Sequence, residues 1–74
     1  MAKPNGIYMP TFDMEDIGKQ CYSHLNVTLA ALNRQYERYR KGSIDGGKRS
    51  MCEKANEFIE PISSELRARE LAKG

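Results

Sequence analysis

The stretch GSIDGGKRS, residues 42–50, admits two readings that lead to different folds. Gly42, Gly47 and Lys48 stand at the spacing of a phosphate-cradling loop, G-x-x-x-x-G-K. Such a loop also needs Ser or Thr after the lysine to hold magnesium, a strand before it and a helix after it. Here Arg49 follows Lys48, and the residues ahead of Gly42 carry a helical pattern, so no parallel sheet can be assembled around the glycines. They are read instead as a helix terminus and a turn between two helices.

Upstream of Gly42 the apolar positions are Met14, Ile17, Cys21, Leu25, Leu29, Leu32, Tyr36 and Tyr39, at steps of 3, 4, 4, 4, 3, 4 and 3. That is one face of a helix. Thr11 and Asp13 are candidate N-caps, and Asp13, Glu15 and Asp16 place negative charge on the first turn. Arg38, Arg40 and Lys41 crowd the last turn, where cations suit the helix dipole. Gly42 is placed to end the helix in a left-handed conformation. The pattern predicts one helix over 13–41, about 43 Å long at the usual rise.

Downstream, Ser50 and Glu53 have capping-box spacing. Met51, Ala55, Phe58, Ile59, Ile62 and Leu66 continue as a second apolar face, with Leu71 near its end. Pro61 interrupts this face, because its ring clashes with the carbonyl of Glu57 in an unbroken helix. The periodicity runs through it and predicts a second helix over 50–72, kinked near Pro61, with 42–49 as the loop. A start one turn earlier, near Gly46, and a new helix with Pro61 in its first turn are the other options.

Two amphipathic helices joined by a short loop pack antiparallel. With the turn centred near Asp45, Tyr39 faces Met51 or Cys52, Tyr36 faces Ala55, and Leu32 faces Phe58 or Ile59. Leu29 then faces Ile62 and Leu25 faces Leu66. Residues 1–12 hold Pro4, Gly6 and Pro10 among Ile7, Tyr8, Met9 and Phe12. They predict an irregular, extended arm lying across the helices. The expected fold is all-α, a single domain over 1–74: an antiparallel helical hairpin with an N-terminal arm. Two helices leave part of each apolar stripe uncovered, to be covered by the N-terminal arm or by self-association into a four-helix or larger bundle, and a homo-oligomer is expected.

Hydrophobic residues make up 39% of the chain and charged residues 30%, a balance that suits amphipathic helices. No apolar run approaches the roughly 20 residues that span a bilayer. The N-terminus lacks the apolar core of a secretion signal. Cys21 and Cys52 form no CxxC pair, and Cys21 with the single His24 falls short of a metal ligand set. A cytoplasmic protein with reduced thiols and with no metal or cofactor is expected, and a Cys21–Cys52 disulfide is excluded by the hairpin register.

No nucleophile, base and acid can be assembled into a catalytic set, so an enzyme is not expected. Glu53, Glu57 and Glu60 read as an exposed charged face. Residues 48–62, KRSMCEKANEFIEPI, are similar to a C-terminal helical stretch of tryptophanyl-tRNA synthetases. The glycine–aromatic–glycine turn usual before that helix is replaced by Ser43-Ile44-Asp45, and the class's nucleotide-binding motif is absent. No function is carried across.

Two functional expectations follow. The first is a small interaction protein, accessory, regulatory or inhibitory, of the kind expected from phages and other mobile elements. It would dock on a protein partner or on itself through Ile7, Tyr8, Met9, Phe12 and any uncovered helical stripe. The second is nucleic-acid or phosphate binding through the hairpin tip. Residues 34–49 hold six cations (Arg34, Arg38, Arg40, Lys41, Lys48, Arg49) against Glu37 and Asp45, while the flanking segments 1–33 and 50–74 each net −1. Arg38, Arg40, Lys41, Lys48 and Arg49 are the candidate anion ligands, with Tyr36 and Tyr39 nearby to stack on bases.

Overall fold

A computed structural model of the chain describes residues 7–73. The first half of the expected arm, residues 1–6, lies outside them. Among the described residues the structure is all-helical, with no strand. A 3-10 helix, Met14–Lys19, leads into α1, Tyr22–Arg40; a short 3-10 turn, Gly46–Lys48, runs into α2, Arg49–Asn56; and α3, Ile59–Lys73, follows. None of these helices is long and apolar enough to cross a membrane.

The helix expected over 13–41 is broken at Gln20 and Cys21, which are both extended. In a continuous helix the carbonyl of Asp16 would accept from the Gln20 N–H, and that of Gly18 from the Tyr22 N–H. Here the Gln20 side-chain amide donates to the Asp16 carbonyl at 3.1 Å, and Arg69 of α3 donates to the Gly18 carbonyl at 3.1 Å. Side chains thus replace the helical partners. The break folds the Met14–Lys19 turn against α3 and buries Ile17. It also moves Cys21 off the apolar face, so this residue, expected in the core, is exposed.

Gly42 ends α1 at φ +78, as its position predicts. Gly42 N–H donates to the Tyr39 carbonyl and Ser43 N–H to the Arg38 carbonyl, at 3.1 and 2.9 Å. This is the Schellman pattern, which satisfies carbonyls the helix leaves open. The loop then returns Ile44 to the interior. The capping box does not form: α2 begins at Arg49, Ser50 lies inside it, and Glu53 accepts instead from Tyr39.

The helix expected over 50–72 is two helices rather than one kinked helix. α2 stops at Asn56, and the N–H groups of Glu57 and Phe58 bond back three residues, to Lys54 and Ala55. α3 starts at Ile59, which places Pro61 in its first turn, where a missing N–H costs nothing. The clash that Pro61 would make with Glu57 is avoided by ending one helix before it.

The core is Ile17, Leu25, Leu32, Ala55, Ile62 and Leu66, with Ile7, Phe12, Leu29, Phe58 and Ile59 packed against it. α1 packs on both α2 and α3. The Tyr22 hydroxyl donates to Glu70 and the Tyr39 hydroxyl to Glu53, each at 2.7 Å. The start of α1 therefore lies beside the end of α3, and its end beside α2.

Candidate functional site

The arm is held by polar groups. Gln35 is buried, and its side-chain amide makes two bonds with the backbone of Tyr8. Tyr8 N–H donates to Gln35 Oε1 at 2.7 Å, and Gln35 Nε2 donates to the Tyr8 carbonyl at 3.1 Å. Two helical turns earlier, Thr28 is buried and receives a long 3.5 Å bond from the Tyr8 hydroxyl. Further down, the Phe12 ring meets His24 and Phe58 edge-on, with centroids 5.5 and 6.2 Å apart. The arm thus runs along α1 from the level of Gln35 to that of His24, sealing one flank of the helix pair.

This placement divides the four arm residues expected to face a partner. Ile7 and Phe12 pack against the chain's own core. Tyr8 and Met9 keep 39% and 37% of their surface exposed, although Tyr8 is tied down by both its backbone and its hydroxyl. Thr28 and Gln35 escaped the sequence reading because polar residues interrupt an apolar stripe. Their spacing of seven, which puts them on one face, is the signal that could have marked them.

On the other flank the Tyr22 hydroxyl bonds Glu70 of α3 and the Tyr36 ring stacks on Tyr39. Around α1, Leu29 lies about 100° beyond Thr28, and Tyr36 about 100° beyond Gln35, with Leu25 and Leu32 between. Tyr22, Leu29 and Tyr36 are seven apart and form one row. Tyr22 is 42% exposed and Tyr36 40%, while Leu29, and Ile59 of α3, are partly buried against the core.

The tip gathers the expected anion ligands at one end of a body 42 Å long. Arg38, Arg40, Lys41 and Arg49 are exposed and Lys48 is half-buried. Arg40 forms an exposed ion pair with Glu37 at 3.2 Å, of a type worth little in water. Arg49 lies with its guanidinium carbon 4.6 Å from the centroid of the Tyr39 ring, within cation–π range. Tyr39 in turn stacks on Tyr36, centroids 6.3 Å apart and planes 23° from parallel.

Among the described residues three ionisable groups are perturbed, all upward. The hydrogen bond to Glu70 raises Tyr22, reinforced by the carboxylate charge. The hydrogen bond to Glu53 raises Tyr39, with Arg49 opposing. Burial raises the Cys52 thiol, again with Arg49 opposing, which makes it a packing group rather than a nucleophile. Among the described residues no three His, Cys, Asp or Glu side chains are grouped to hold a metal ion. No protein-family model matches this chain, and no curated protein and no solved structure is significantly similar to it.

Proposed function

We infer that this chain is a small, non-enzymatic interaction module. We read it as an antiparallel helical hairpin that docks on a protein, or on a second copy of itself, in a reducing cytoplasm. The observation that carries this reading is one-sided coverage. The arm covers the Thr28–Gln35 flank of α1, whereas on the other side of Leu32 the Tyr36 ring keeps 40% of its surface exposed and Leu29 is only partly buried. A row of apolar side chains at a seven-residue interval is the form in which helices present themselves to other helices. The docking surface is therefore drawn on Tyr36 and Met9, with the outer edges of the partly buried Leu29, Ile59, Ile7 and Phe12 beside them.

Sedimentation of the purified chain, followed by cross-linked capture from cell extract, tests the reading. Replacing Tyr36 and Met9 together by Ser should weaken the self-association or the capture at least tenfold while the helical circular dichroism is retained. Unchanged association in that folded variant would refute it.

A further inference from the structure

We propose that the basic tip is a binding site for single-stranded nucleic acid, in which a base stacks on Tyr36 while phosphates sit on Arg40 and Lys41. The site is separate from the docking flank in all but Tyr36, and it stands or falls without the docking reading. Three observations converge on it. The first is charge: residues 34–49 carry six cations and two anions, and Arg34, Arg38, Arg40 and Lys41 are exposed. Such a patch attracts polyanions by releasing their counterions.

The second is a row of planar groups. Arg49 lies against Tyr39 at 4.6 Å, and Tyr39 stacks on Tyr36 at 6.3 Å. The hydroxyl of Tyr39 is pinned to Glu53 at 2.7 Å, so the middle ring is fixed. Tyr36 ends the row and is 40% exposed, leaving ring surface to accept one more planar group. Ring-on-base stacking is how proteins hold unpaired bases without reading their sequence.

The third is register. Arg40 lies four residues beyond Tyr36, on the same side of α1, and Lys41 follows at the helix end. A base on Tyr36 therefore has its own backbone beside cations. The bases of a duplex are already stacked on one another and cannot reach the ring, so the row selects a single strand over a duplex.

Fluorescence anisotropy with a labelled oligothymidylate of about 15 nucleotides tests this, with a duplex of equal length and inorganic polyphosphate as comparisons. The wild-type chain should bind the single strand more tightly than the duplex, with affinity falling steeply as salt rises. Tyr36→Ala should weaken oligothymidylate binding by about tenfold and leave polyphosphate binding unchanged, because only the former stacks. Tyr36→Phe should restore it. Arg40→Glu with Lys41→Glu should weaken both ligands. The proposal is overturned by absence of single-strand binding at about 50 mM salt, by tighter binding of the duplex, or by a Tyr36→Ala chain that binds oligothymidylate like the wild type.

Discussion

The side-chain amide of Gln35 pairs with both backbone polar groups of Tyr8, accepting at 2.7 Å and donating at 3.1 Å, as a neighbouring strand would. A buried amide in this position does two jobs: it satisfies the extended arm's backbone, and it fixes the arm's register on α1. Gln35→Ala should cost about 1–3 kcal/mol, since it orphans two polar groups. That corresponds to a fall in melting temperature of about 4–8 °C per kcal/mol for a domain of this size. Gln35→Glu should cost at least as much, because a carboxylate cannot donate to the Tyr8 carbonyl. Thermal melts of both variants check this; a melt within 1–2 °C of wild type, on the same scale, would show the arm is not held this way.

Two glycines should respond in opposite directions to alanine. Gly42 adopts φ +78, which an L side chain enters at a cost of about 1–2 kcal/mol. Gly18 has no such torsion, and an added Cβ meets nothing within 4 Å. Gly18→Ala should be neutral or stabilise by up to about 1 kcal/mol, through lower entropy of the unfolded chain. Urea titrations of the two variants give the comparison directly.

The two cysteines should separate in a thiol-labelling time course. Cys21 is exposed and should react in the native protein without the fold opening. Cys52 has no accessible surface, and its thiol is held protonated by burial. It should react only as the fold opens, so denaturant should accelerate Cys52 strongly and Cys21 little. Equal rates in the native protein would contradict the burial of Cys52.

Alkali should destabilise the fold, because Cys52, Tyr22 and Tyr39 give up their protons less readily in it than in an unfolded chain. Cys52, Tyr22 and Tyr39 all release their protons at higher pH when folded than their ordinary values of 9.0, 10.0 and 10.0. Between the unfolded and folded values the unfolded chain binds fewer protons, so stability falls as pH rises. The stabilisation is fully present below the ordinary values and is lost as pH passes the folded ones. Urea midpoints measured across this range should fall with pH, and Cys52→Ala should flatten the lower part of the fall. A midpoint independent of pH there would remove the inference.

Pro61→Ala should leave the helix boundaries nearly unchanged. In the first turn of α3 the N–H it restores has no helical partner, so little is gained. The gap at Glu57 and Phe58 is also held from outside, by the edge-on contact between Phe58 and Phe12. The change in stability should stay within about 1 kcal/mol. A rise in helical circular dichroism worth a full turn would show that proline alone divides α2 from α3.

The pattern of residues by itself determined what depends on near neighbours. The period of apolar side chains marks Leu25, Leu29 and Leu32 as the inner face of α1. Arg38, Arg40 and Gly42 mark its end, because dipole, charge and left-handed torsion all act within one turn. Residues 42–50 are likewise barred from forming a phosphate loop by local features alone, the missing hydroxyl after Lys48 and the helix ahead of Gly42.

What the tertiary structure decided are the places where a distant side chain takes over a local bond. Arg69 reaches the Gly18 carbonyl from another helix, and with it the expected single helix over 13–41 divides and Cys21 turns outward. Gln35 and Thr28 look like interruptions of an apolar stripe until Tyr8, at the other end of the sequence, lies upon them. Ile44 looks like part of an open loop until the Gly42 turn directs it inward. A helix period records which face is apolar; it does not record which backbone groups find partners elsewhere, and those partners set the breaks and the seat of the arm.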